Sequence, residues 1–164
     1  MTTRYLCQVK SSIVRGEEDP ARATLYGHGL LQSRAAVDYD EGKRMVERNN
    51  FMMCGLDWYG FSQNDLHNVA ISLLDMSHWP VIPDASLQGF LNWMFFARAM
   101  QHPAGLAAHP AFQIQIDGAA SGVPFFDRQE IFYYGNSQGG ILPGPVVAVS
   151  KDINTGVFGV PGKN

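Results

Sequence analysis

The stretch Gly135-Asn136-Ser137-Gln138-Gly139, entered from the apolar run Ile131-Phe132-Tyr133-Tyr134, constrains this chain more than any other. A strand-length apolar run that ends at once in a glycine-bounded serine fits a sharp strand-to-helix turn. Such a turn needs a sheet behind it and a helix beyond it. The serine backbone there is strained, and side chains in place of the flanking glycines would meet the following helix. Phe51-Met52-Met53-Cys54-Gly55-Leu56 is a second near-continuous apolar run, as expected for a strand buried on both faces. Strands separated by helical segments imply βαβ units. The expected fold is therefore α/β, a mostly parallel sheet with flanking helices in one domain over 1–164.

The remaining elements follow from period and punctuation. Residues 1–22 are polar, with Glu17-Glu18-Asp19 before Pro20, and suit an edge hairpin or a solvated lead-in. Ala23-Thr24-Leu25-Tyr26 is a short strand candidate ending at Gly27-His28-Gly29, and Val37 to Asn49 has the make-up of a surface helix. Ser62 with Asp65 three residues on marks a helix start. Leu66, Val69, Ala70, Leu73 and Leu74 then share one face. Pro80 and Pro83 interrupt the pattern, and Asp84 opens a helix whose apolar stripe is Leu87, Phe90, Leu91, Met94 and Phe95. Residues 101–110 form a loop, and Phe112, Ile114 and Ile116 alternate before a Gly- and Ala-rich connection. Val146 to Ser150 reads as helix and 156–160 as a last short strand. Residues 62–110 are a candidate helical insertion, or lid, within the domain.

Composition excludes several classes. With 46% hydrophobic and 16% charged residues, a chain of 164 residues can form a core, burying roughly 70% of its unfolded surface. A formal charge of −3 gives no electrostatic case for nucleic acid or for an anionic membrane surface. Trp93-Met94-Phe95-Phe96-Ala97 is far shorter than the ~20 residues of a membrane span. The start has no apolar run of signal-peptide length, so the default compartment is the cytoplasm. The spacing of Cys7 and Cys54 does not establish a disulfide, and Cys54 is expected as a buried thiol on a central strand.

Ser137 is the candidate nucleophile. Acyl transfer passes through a tetrahedral intermediate whose oxygen gains negative charge, and two pre-aimed N–H groups can stabilise it. Gln138, directly after the serine, is one expected donor. Leu30, in the loop Gly27-His28-Gly29-Leu30 after an earlier strand, is the other. In this reading His28 holds that loop and is not the base. His67, His78, His102 and His109 have no metal-ligand spacing, and surface or loop-packing roles are expected for them. Neither a metal nor a cofactor is implied. Asp57, after a central strand, is expected to cap a helix or turn. Trp58, Tyr59, Phe61, Trp79, Trp93, Phe95 and Phe96 are expected mainly in the core, with some available to line an acyl pocket.

Three pieces, Leu25 to Leu31, Cys54 to Ser62 and Phe132 to Leu142, together resemble the α/β-hydrolase superfamily, and most closely its large bacterial serine esterases or lipases. The resemblance runs from about Ala23 onward. It implies Ser137 as nucleophile, Leu30 and Gln138 as oxyanion-hole donors, and Gly27, His28, Gly29, Gly135 and Gly139 as motif support. It also implies a small-molecule or lipid ester as substrate. The family's acid and histidine follow the nucleophile, whereas no histidine follows Ser137 here. The chain then corresponds to the nucleophile-bearing part of a larger hydrolase, truncated after the strand behind the nucleophile helix. A missing C-terminal segment or a second copy would supply the base. Pro143 and Pro145 fall where that helix should run, and Pro145 is expected to kink it. The alternative is a non-catalytic binding or assembly module on the same sheet.

Overall fold

The computed structural model describes residues 3–162. In chain order the elements are β1 (Tyr5–Gln8), α1 (Ser11–Val14), β2 (Ala21–Gly27), α2 (Asp40–Asn49), β3 (Phe51–Leu56), α3 (Leu66–Leu74) and α4 (Val81–Gln101). They continue with β4 (Gln113–Ile116), β5 (Ala119–Pro124), β6 (Phe126–Asn136), α5 (Gln138–Ile141), α6 (Pro143–Val149) and β7 (Ile153–Gly159). Five strands form one sheet in the order β1-β3-β2-β6-β7, and β4 and β5 form a separate two-stranded ladder. β3, β2, β6 and β7 are mutually parallel, while β1 runs antiparallel along β3. The fold is α/β with a mostly parallel sheet and flanking helices.

One face of the sheet carries the core. Ala21, Ala23 and Leu25 of β2, Met52, Cys54 and Leu56 of β3, and Ile131 and Tyr133 of β6 alternate inward. There they meet Trp93, Phe96, Ala97 and Met100 of α4 and Val146 of α6. Trp58 stacks on Trp93 at 4.5 Å between ring centroids. On the opposite face, Val37 and Val46 are buried before and within α2.

Several expectations change at this level. Among the described residues 3–22 there is no hairpin: β1 is an edge strand that pairs with β3, with Cys7 directly opposite Cys54. Those two cysteines are bonded to each other. The expected buried thiol on Cys54 is therefore corrected to a cross-strand disulfide, a pairing created by topology that spacing does not encode. The Gly- and Ala-rich connection after Ile116 is also strand. Asp117 at φ 50° and Gly118 at φ 80° make the tight turn that folds β5 back on β4.

The two prolines before Asp84 do not delay the helix. α4 starts at Val81, with Pro83 in its first turn, where no intrahelical N–H is required. Its buried stripe holds Ile82, Ser86, Gly89, Trp93, Phe96 and Met100. Leu87, Leu91 and Phe95 point outward, Phe95 with 71% exposure. α3 behaves alike: Leu66, Leu73 and Leu74 are exposed and only Ser72 is buried. No helix among the described residues is long and apolar enough to cross a membrane.

Candidate functional site

The chain leaves β2 toward β3 on one side of the sheet and returns as β6 on the other. β2 and β6 are parallel neighbours, with Gly27 opposite Gly135. The strand order thus reverses between their carboxyl ends, where open α/β sheets leave a crevice for ligands. Both glycine motifs start at those carboxyl ends.

Ser137 follows directly on β6 with φ 55° and ψ −121°. A non-glycine residue held there costs about 1–3 kcal/mol and persists only where its surroundings fix it. Three hydrogen bonds do so. Ser137 N–H donates to Gly159 O of β7 at 3.0 Å, and Ser137 O accepts from Gly140 N–H at 2.8 Å and Ile141 N–H at 3.1 Å. The chain therefore turns into α5 without a linker. The residue is exposed, and its hydroxyl has no partner among the described residues.

The facing loop is built on His28, which is fully buried. Its Nδ1 lies 2.8 Å from Gly29 O, and its Nε2 is 3.0 Å from Trp58 N. Trp58 N–H must donate to Nε2, so the proton sits on Nδ1 and donates to Gly29 O. Both ring nitrogens are thereby occupied, and His28 has no site left for a proton from Ser137. Leu31 N–H donates to Phe61 O at 3.0 Å. Asp57 accepts from Arg34 N–H at 2.7 Å and from the Arg34 guanidinium at 2.6 Å. Asp57 so secures the 3-10 turn that begins at Arg34, the turn-capping role expected of it.

Burial pushes the His28 pKa below its ordinary value of 6.5. A cation whose folded pKa is depressed lets the unfolded chain bind the proton first. The contribution of His28 is complete above pH 6.5 and declines as the pH falls from there toward the folded pKa. Urea melts between pH 7.5 and 5 should show this loss, and His28→Gln should flatten it. An identical slope in the variant would rule the linkage out.

The two motifs touch through missing side chains. A Cβ on Gly139 would lie 2.1 Å from Gly27 O, and one on Gly27 would lie 1.7 Å from the Tyr133 hydroxyl. Only glycines let α5 rest on the loop after β2. Gln138 Nε2 donates to Phe61 O at 3.3 Å, so one carbonyl ties both the Leu30–Leu31 turn and the start of α5. The N–H groups of Leu30 and Gln138 have no acceptor among the described residues. Leu30 is 60% exposed and Gln138 is buried.

The expected kink at Pro145 is replaced by a break. α5 ends at Ile141, and α6 starts with Pro143 at its first position, so both prolines fall in a first turn where no N–H is needed. Pro143 leaves Gly139 O without its helical donor, and the Tyr133 hydroxyl donates to that oxygen at 2.5 Å. Burial holds the Tyr133 pKa well above its ordinary value of 10, keeping the hydroxyl protonated. Tyr133→Phe should cost about 1–3 kcal/mol by orphaning a buried carbonyl. Thermal melts would measure it, and a neutral result would show that Gly139 O finds another donor.

The other histidines lie elsewhere. His67 is exposed on α3, and His78 faces Asp75 at 3.7 Å. His102 and His109 accept the N–H groups of Ala104 and Ala111 through Nδ1. None bonds to Ser137. Trp58, Trp93 and Phe96 are core residues, whereas Trp79 and Phe95 are exposed. The supporting roles of Tyr133 and of the Phe61 carbonyl escape the sequence, where Tyr133 is one more apolar strand residue. Comparison of the chain with protein-family models, with curated proteins and with solved structures gives no match.

Proposed function

We propose that this chain carries the nucleophile and oxyanion hole of a serine carboxylic-ester hydrolase of the α/β-hydrolase type. The backbone of Ser137 carries the reading: an exposed serine at φ 55°, ψ −121° between a buried parallel strand and a helix, at the point where strand order reverses. Ser137 Oγ attacks the ester carbonyl carbon and the C–O bond to the alcohol breaks. The alcohol leaves with a proton, and water then hydrolyses the acyl-enzyme. The N–H groups of Leu30 and Gln138 hold the oxyanion, each contributing about 3 kcal/mol to lowering the barrier. The base that takes the Oγ proton comes from outside this chain's described residues. Without it, the oxyanion hole and substrate binding leave roughly 10³–10⁴-fold acceleration over water. The Cys7–Cys54 bond favours an oxidising compartment for the folded protein.

Incubation with a fluorophosphonate and intact-mass analysis tests the reading. Ser137 should gain one phosphonyl group slowly, at the rate that the oxyanion hole alone supports, and Ser137→Ala none. Labelling that survives Ser137→Ala, or falls on another serine, would sink it. The outward apolar side chains Leu73, Leu74, Leu87, Leu91 and Phe95 favour the second reading, an assembly module. A stoichiometric oligomer inert to the probe would establish that one.

A further inference from the structure

Beside the Ser137 turn lies a groove of about 330 Å³ formed by Phe61, Trp79, Ile82, Leu87, Phe90 and Leu142. We propose that it holds the acyl chain of the ester, and that the preferred acyl group is an unbranched, medium-length alkyl chain. This rests on the hydrolase reading of Ser137 and specifies its substrate.

Two contacts join groove and turn. Phe61 lines the groove, and its carbonyl accepts from Leu31 N–H and from Gln138 Nε2. Leu142 lines it from the other side, and its N–H donates to Gln138 O at 3.0 Å. Leu142, which lines the groove, thus follows Gln138 by one helical turn, a rise of ~5.4 Å along the axis. In this proposal the acyl chain runs on from a carbonyl at Ser137, past Phe61 and Leu142, into the groove.

The lining decides the chemistry. No charged side chain faces the groove, and its single hydroxyl, on Ser86, already donates to Ile82 O at 2.9 Å. A sugar, phosphate or carboxylate would lose water there with only the Trp79 indole N–H at the rim as a side-chain donor. An alkyl chain loses nothing. The volume sits at the small end of ligand sites, which suits a chain of medium length and not a bulky group. Trp79 at 40% exposure and Leu87 at 62% form the rim, so a chain entering the groove covers them.

Each methylene buried is worth about fourfold in rate or affinity. Octyl- and methyl-phosphonofluoridates compare the two extremes: the Ser137 Oγ–P bond forms, P–F breaks, fluoride leaves and the hydroxyl proton passes to solvent. Octyl labelling should be faster by ~50-fold or more. Leu87→Asp should cut that ratio about tenfold, while Leu74→Asp, on the exposed side of α3, should preserve it. A second arm needs no chemistry. In Ser137→Ala, 10-bromodecanoate should quench fluorescence saturably, and Trp79→Phe should remove that quenching, since Trp58 and Trp93 are buried. Equal labelling rates, or no quenching at saturating ligand, overturn the acyl assignment while a labelled Ser137 stands. Quenching with no labelling by either probe overturns the ester reading instead and leaves the groove an apolar ligand site.

Discussion

Reduction of the Cys7–Cys54 disulfide is expected to lower the free energy of unfolding by about 4 kcal/mol. The bond spans a sequence separation of 47 residues, so breaking it returns the loop-closure entropy of a long segment to the unfolded chain. The native state has little to compensate. β1 has four residues, pairs with β3 alone among the described strands, and leaves Tyr5 and Leu6 about 40% exposed, so the Tyr5 ring, 4.9 Å from that of Phe96, is its main apolar contact once the bond is gone. Ladder bonds on an edge strand fray early. Urea melts of oxidised and reduced protein measure the difference, and the Cys7→Ala/Cys54→Ala double variant should match the reduced form. Its midpoint should also become insensitive to reductant. A loss below about 1 kcal/mol would mean that the unfolded chain keeps β1 near β3 without the bond.

The parts of the fold visible in the sequence are those where one local signal has one structural meaning. Phe51–Leu56 is apolar throughout, and it lies with neighbours on both sides in the sheet. Ser62 and Asp65 form the expected reciprocal cap, with Ser62 N–H donating to Asp65 Oδ2 at 2.9 Å. Where two apolar stripes compete, the sequence misleads. α4 carries Leu87, Leu91 and Phe95 on one side and Ile82, Trp93 and Phe96 on the other. The second side is the one with partners: Gly89 lets the helix approach Tyr59, whose N would lie 3.2 Å from a Cβ there, and Trp93 stacks on Trp58 at 4.5 Å. Close approach selected the small residues, and hydrophobicity alone does not reveal which stripe has a partner. Asp117-Gly118 was a readable hairpin signal, masked by the weak strand propensity of Ala119-Ala120-Ser121-Gly122.

The candidate site divides the same way. Its glycines stand out because close backbone approach demands that residue type, and Ser137 because it stands between two of them at the end of an apolar run. The Tyr133 hydroxyl on Gly139 O and the Phe61 carbonyl shared by Leu31 and Gln138 are long-range contacts that no local pattern encodes. Asp57 is an intermediate case. Its position after β3 marked it as a cap, yet its partner Arg34, 23 residues earlier, depends on β2 and β3 being neighbours.

Gly139→Ala should be among the most damaging single substitutions, costing ~4 kcal/mol or more, while Gly29→Ala in the facing loop should cost less than ~1 kcal/mol. The added methyl is the same in both variants, and only what it meets differs. At Gly139 it would lie 2.1 Å from Gly27 O, 2.5 Å from Gly27 C and 3.0 Å from His28 O, all backbone atoms fixed by the β2 ladder and the buried His28 ring. At Gly29 its nearest neighbour is Gln32 Oε1 at 3.1 Å, the end of a flexible exposed side chain. Relief at Gly139 requires α5 to lift off the loop, which moves Gln138 N–H away from Leu30 N–H. A displacement of about 1 Å already costs ~10²-fold in a reaction that depends on aim. Any folded Gly139→Ala should therefore lose fluorophosphonate labelling of Ser137 by at least that factor, whereas Gly29→Ala should keep it within a few-fold. Thermal melts and labelling rates on the two variants together separate stability from aim. A stable Gly139→Ala protein that labels normally would show that close seating of α5 on the Gly27 loop is not what orients Ser137.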